Sequence, residues 1–277
     1  VGEIQESDTV LESQLIEKKQ QSSNSQPTPA IRALARKLKV DLNCISAAGS
    51  RITADDVKQA ASRQHTIEPH FQPLSAVKQA MSQVMSCSQQ SVAAITVTAD
   101  ADITHWFKQD DITLRAIQAL LQAIQQEPIL NSHFNSDNNS YCQFEQVNIG
   151  LAVDTAHGLY VPVIKQAEKL TNTELRSAID TYKQQAESKS ITQDNLKDAT
   201  IVLSNFGRFA AKYGTPIITP PTVGIIGIGR VYEAAIAQQG EISSGYLLPI
   251  SISADHRLIT GGEVTRFLAA FKQQCEA

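Results

Sequence analysis

Cysteine is scarce in this chain: Cys44, Cys87, Cys142 and Cys275 are its four among 277 residues, and they stand far apart. With no CxxC pair and no cysteine–histidine ligand spacing, a zinc site is disfavoured, and a reducing compartment fits better than a disulfide framework. Tryptophan occurs once, methionine twice, and aromatics make up only 5% of the residues. No apolar run approaches the ~20 residues that a bilayer span needs, and no signal peptide opens the chain. Positive charge is short as well. Lys and Arg total 24 against 28 Asp and Glu, for a net charge of −4, so a nucleic-acid role has no electrostatic support. What is present is an ordinary globular composition, 42% hydrophobic, long enough for one large domain with something smaller attached.

Residues 1–26 end in a polar run from Lys18 to Pro27 without apolar periodicity, which predicts a flexible linker. Val1 stands where a Met would, which suggests a fragment or a processed chain. A compact module over 27–62 follows. Pro29 suits a first helical position behind Thr28 as N-cap, and Ile31, Leu34, Ala35 and Leu38 recur at helical spacing. Thr53 with Asp56 three residues on is a capping-box pattern that opens a second helix after a turn at Gly49. Residues 63–72 read as a second linker.

From 73 onward, helix and strand patterns intersperse, which predicts a mixed α/β domain over 73–277. Leu74 to Met85 forms a helix with an apolar stripe, and Ala94 to Asp100 alternates as a strand. Ile112 to Gln126 is the cleanest amphipathic helix, closed by Pro128. Val147–Asp154 and Gly158–Ile164 read as two strands joined by a turn, and Thr171 with Glu174 is a further capping box.

Three stretches invite chemical readings. Thr200 to Gly207 is a strand ending in Ser204 and Asn205; without a Gly-x-Ser-x-Gly elbow, Ser204 is disfavoured as a nucleophile but can donate to an oxyanion. Gly224-Ile-Ile-Gly227-Ile-Gly229 lacks GxGxxG spacing and reads as strand interior, so a dinucleotide site is rejected. Gly245 to Ser253 predicts a largely buried strand, after which Asp255-His256-Arg257 arrives, then a Gly261-Gly262 turn and a helix. On its own that cluster reads first as a solvated loop with a surface histidine. His65, His70, His105, His133 and His157 have no motif around them and are read as structural or solvated.

The string Pro27-Thr-Pro-Ala-Ile-Arg32-Ala-Leu-Ala-Arg36, continued by Val40-Asp-Leu and Gly49-Ser-Arg51-Ile-Thr-Ala-Asp-Asp-Val, resembles the peripheral subunit-binding domain of 2-oxoacid dehydrogenase acyltransferases. Asn148-Ile-Gly-Leu-Ala-Val-Asp-Thr, Leu203-Ser-Asn-Phe-Gly, Pro216-Ile-Ile-Thr-Pro-Pro and Leu248-Pro-Ile-Ser-Ile-Ser-Ala-Asp-His-Arg are similar, in order and spacing, to the same family's catalytic domain. The resemblance covers 73–277. It implies a chloramphenicol acetyltransferase-like fold preceded by a small helical subunit-binding domain, with a lipoyl domain expected N-terminal to Val1.

The resemblance implies an enzyme, a dihydrolipoyllysine-residue acyltransferase that moves an acyl group, acetyl favoured, between dihydrolipoyl and coenzyme A thiols. Coenzyme A is then a substrate, and the lipoyl group sits on a domain absent from this chain. His256 occupies the family's general-base position and Ser204 that of the oxyanion donor. Arg32, Arg36 and Arg51 become contacts for dihydrolipoamide dehydrogenase or an oxoacid decarboxylase. Homotrimers building a cubic or dodecahedral core are implied too, with the active site between neighbouring subunits. A bacterial cytoplasm is favoured over a mitochondrial matrix. Two departures stand out. The loop Ile45 to Arg51 is shorter and poorer in glycine than the family's, and Thr260, the third candidate catalytic residue, replaces the Asp of Asp-His-Arg-x-x-Asp-Gly and offers only a hydroxyl. The arginine that pairs with that Asp is replaced by Val84. Losing both partners of a buried pair can be neutral where losing one is costly. A weakened or inactive scaffold subunit, a branched-chain acyltransferase and a stand-alone acetyltransferase are the competing readings.

Overall fold

The computed structural model describes residues 27–45, 51–63, 71–238 and 240–277, the side chains of Cys44 and Gln238 aside. The linker expected over 1–26, the Gly49 turn, His65, His70 and most of 63–72 lie outside the described residues. The chain divides into two compact units, Val1–Gln72 and Pro73–Ala277.

In the first unit α1 runs Pro29–Lys37 and α2 runs Ala54–Arg63. Pro29 opens α1 as expected, but the Thr28 side chain makes no capping bond. The α2 box does form: the Asp56 carboxylate accepts from the Thr53 N–H at 2.8 Å and from its hydroxyl at 2.7 Å. Ala35, Val40 and Val57 are buried and gather Ile31, Leu34, Leu42, Ile45 and Ile52 around them. This is a small core, as a module of this length must have.

The second unit is built on a mixed sheet. Its strands are β1 (Ala94–Asp102), β4 (Ile149–Thr155), β5 (Gly158–Tyr160), β6 (Val163–Ile164), β7 (Ile201–Asn205), β8 (Gly224–Ile228), β9 (Tyr232–Gln238) and β10 (Glu241–Asp255), while β2 (Ser132–Asn135) and β3 (Ser140–Gln143) form a separate hairpin. The main path is β1-β10-β8-β7-β4-β5, with β6 beside β4 and β9 beside β10. Among the described residues only β4–β7 and β7–β8 are parallel pairs. Helices α3 (Ala76–Ser91), α4 (Ile112–Gln126), α5 (Asn172–Glu187) and α6 (Gly261–Glu276) complete it. The apolar faces of α4, α5 and α6 form one core with the sheet, through Ile117, Leu120, Leu175, Ile179, Phe267 and Phe271. Mixed α/β is the class observed.

Several local differences have plain causes. The strand expected over Gly158–Ile164 divides into β5 and β6, because Pro162 between them has no N–H for the ladder. β10 reaches back to Glu241, beyond the expected start at Gly245, because its first half pairs with β9. Gly261 and Gly262 are the first residues of α6, not a turn. The apolar stripe of α3 stays largely uncovered within this chain. Met81 and Val84 are exposed, and Ser88 is the helix's buried residue.

Candidate active site

β10 delivers Asp255 and His256 to one end of the sheet. Asp255 is buried, and it ends the strand in a turn by accepting from the Leu258 and Ile259 N–H groups at 3.0 and 2.8 Å. Its carboxylate holds Arg257 through Nε at 3.0 Å and Nη2 at 2.6 Å. That hydrogen-bonded pairing raises the arginine's pKa, against the opposing effect of burial. The guanidinium also stacks on Phe134 at 4.5 Å and donates to the Ser136 hydroxyl at 3.0 Å, which ties the segment to the β2–β3 hairpin. This leaves His256 exposed between two fixed neighbours.

The histidine itself is held at two points. Its backbone N–H donates to the Ala93 carbonyl at 2.8 Å. Its ring Nδ1 lies 2.9 Å from the Ile259 carbonyl oxygen. A carbonyl only accepts, so Nδ1 carries the proton and Nε2 presents a free lone pair. Thr260, immediately after, is the N-cap of α6 in a reciprocal box with Glu263. Its hydroxyl donates to the Glu263 carboxylate at 2.7 Å and accepts from the Glu263 N–H at 3.3 Å, so it is already committed. Sequence reasoning did not single out Glu263, although Thr260-x-x-Glu263 carries the same capping-box pattern as Thr171 and Glu174.

Ser204 is half-buried near the end of β7, and its hydroxyl has no hydrogen bond among the described residues. It lines a cleft of about 240 Å³ with Thr113, Leu151, Leu159, Phe206 and Phe209. Asn205 beside it donates to the Thr113 hydroxyl at 3.2 Å and accepts from the Gly207 N–H at 3.2 Å. The segment after it, from Phe206 to Ile218, lies against β8 over two glycines. A Cβ on Gly227 would come within 2.7 Å of the Phe206 ring, and one on Gly229 within 1.8 Å of the Lys212 carbonyl. That is the use of the glycine run from which a dinucleotide site was excluded. Tyr213 pins the same segment to β1 by donating to Asp100 at 2.7 Å, and Tyr232 donates to the same oxygen at 3.1 Å.

One chain does not bring Ser204 and His256 together. Ser204 pairs with Gly227, and Gly227 pairs with Ser251. His256 lies five residues further along β10, past the opposite end of β8, a displacement of roughly 17 Å along the strands. In the first unit, Arg32 and Arg36 lie exposed on α1, with Arg32 Nε donating to the Pro27 carbonyl at 3.1 Å, and Arg51 is exposed ahead of α2. His133 and His105 rest against the carbonyls of Ala199 and Ala277, at 2.7 and 3.3 Å.

Residues 68–277 match the family of 2-oxoacid dehydrogenase acyltransferases, catalytic domain, and the chain belongs to that family. Among its relatives, the acetyltransferase component of the Bacillus subtilis acetoin cleaving system is 31% identical over 274 residues, spanning 90% of this chain and 68% of the relative. The corresponding component of the Mycoplasma capricolum pyruvate dehydrogenase complex is 29% identical, spanning 89% and 68%. Among solved structures, the Azotobacter vinelandii dihydrolipoamide acetyltransferase aligns with a TM-score of 0.72 at 24% identity, covering 76% of this chain and 92% of that one. A catalytic core from Thermoplasma acidophilum aligns at 0.68 with 26% identity, covering 75% and 98%.

Proposed function

We propose that this chain transfers an acetyl group between dihydrolipoyl and coenzyme A thiols as a core subunit of a 2-oxoacid dehydrogenase complex. The observation that carries the reading is the presentation of His256, with Nδ1 committed as a donor and Nε2 open as a base. A thiol attacking a thioester must lose a proton, and an imidazole is suited to take it near neutral pH. His256 Nε2 takes that proton as the sulfur adds to the thioester carbonyl. The tetrahedral intermediate places negative charge on oxygen, and the free Ser204 hydroxyl donates to it. Collapse expels the other sulfur, which recovers the proton from the imidazolium.

With the two residues displaced by roughly 17 Å along the strands, the site is read as shared by neighbouring copies, His256 from one and Ser204 from the next. A homotrimer with three such sites satisfies this, and larger cores assemble from it. The Azotobacter protein supports the assignment. Its structure concerns a serine, a histidine and an asparagine in the catalytic mechanism, the serine 52 residues before the histidine and the asparagine four after it. Ser204, His256 and Thr260 have the same spacing. Both relatives described above carry acetyltransferase names, which favours acetyl over larger acyl groups.

The test is acetyl transfer from acetyl-CoA to dihydrolipoamide, with isobutyryl- and succinyl-CoA as comparators. His256→Ala lowers kcat by about 10³-fold if the residue is the base. Unchanged transfer in that variant contradicts the assignment. Exposed Arg32, Arg36 and Arg51 dock an acidic face of a partner enzyme, dihydrolipoamide dehydrogenase or an oxoacid decarboxylase. Binding to either that weakens steeply with added salt supports this, and salt-independent binding contradicts it.

A further inference from the structure

Thr260 stands where the sequence pattern of the family puts an acid and where the Azotobacter protein has an asparagine, and the structure supplies a carboxylate from one turn further on. We propose that Glu263 is a positioning residue for His256, acting through the Ile259–Thr260 peptide; this rests on His256 being the base. Both sides of that peptide are engaged. Its carbonyl accepts from His256 Nδ1 at 2.9 Å, and its N–H donates to Glu263 Oε2 at 2.7 Å. A peptide unit is planar, so a carboxylate that fixes the N–H also fixes the direction of the carbonyl. Linked hydrogen bonds polarise one another, so the ionised Glu263 makes the Ile259 oxygen a stronger acceptor for the ring. The imidazole is thereby kept in the tautomer that leaves Nε2 free. A carboxylate that oriented the ring by direct contact would do the same job; here one peptide stands between them.

The carboxylate is in turn held. The Thr260 hydroxyl donates to the same Oε2 at 2.7 Å and accepts the Glu263 N–H at 3.3 Å. The Thr260 N–H, and then its hydroxyl, keep Glu263 ionised by drawing its pKa below the usual carboxylate range. Phe134 and Ser136 brace the other flank through Arg257, so the ring turns within a frame fixed on both sides.

Helix capping alone makes a different prediction from positioning, and three variants of the assembled protein separate them in the acetyl-transfer assay. Glu263→Ala lowers kcat on the order of tenfold, the lower end of what a histidine's orienting partner contributes, with both KM values within about twofold. Glu263→Gln recovers most of that loss, because its amide oxygen still accepts the Thr260 N–H. Thr260→Ala keeps the N–H to Glu263 and lowers the melting temperature more than it lowers kcat. The proposal is overturned if Glu263→Ala retains kcat, or if Glu263→Ala and Thr260→Ala lose kcat and melting temperature in parallel. Transfer that survives in His256→Ala, measured alongside, overturns the functional reading instead.

Discussion

Ser204 has a hydroxyl that nothing among the described residues uses, at the end of a strand whose other residues are locked in the sheet. A free donor on a rigid element is what a developing oxyanion needs, since no reorganisation is required when the charge appears. Ser204→Ala therefore lowers kcat by about 10²-fold, or on the order of 3 kcal/mol, while KM stays close to wild type. A rise in KM with kcat unchanged would place Ser204 in ground-state binding instead. His256, by contrast, was visible in the sequence only through its neighbours. Its environment is made by backbone carbonyls, those of Ala93 and Ile259, and a carbonyl leaves no mark in a string of side chains.

The glycines at 227 and 229 illustrate what an element contributes that its residue types do not announce. As letters they suggested a nucleotide loop or a strand interior; in the fold they open space for the segment that leaves Ser204. A methyl at 229 meets the Lys212 carbonyl, which is backbone and cannot swing aside. Gly229→Ala thus displaces that segment, costs about 1–3 kcal/mol of stability, and lowers transfer further than its loss of stability explains. A melting temperature and kcat indistinguishable from wild type would contradict the seating described here. Legibility varied among the elements for physical reasons. Helix α4 was read with its bounds because its stripe is strong and Pro128 follows it; in the fold Asp111 caps it as well. The length of β10 was missed because its first residues, Glu241 to Ser244, are exposed and, Ile242 apart, polar, and it is their pairing with β9 that makes them strand.

On the scale of the molecule, the fold separates the two groups that the proposed mechanism joins. A sheet is stiff, and no loop movement carries His256 past β8 to Ser204, so the proposed mechanism draws its second half from another copy. The uncovered stripe of α3, with Met81 and Val84 exposed, is the kind of apolar face that a single chain leaves for association. Sequence could suggest the shared site only by resemblance, because strand order and register, which set the distance, are not local properties. The most direct measurement is co-assembly of His256→Ala with Ser204→Ala, each lowered in activity by about 10²-fold or more by itself. If the site joins His256 of one copy to Ser204 of the next, mixed assemblies at equal ratio regain about a quarter of wild-type activity, since one interface in four pairs two intact residues. Activity that stays at the sum of the two impaired variants would contradict the account, and would place both residues' work within a single chain.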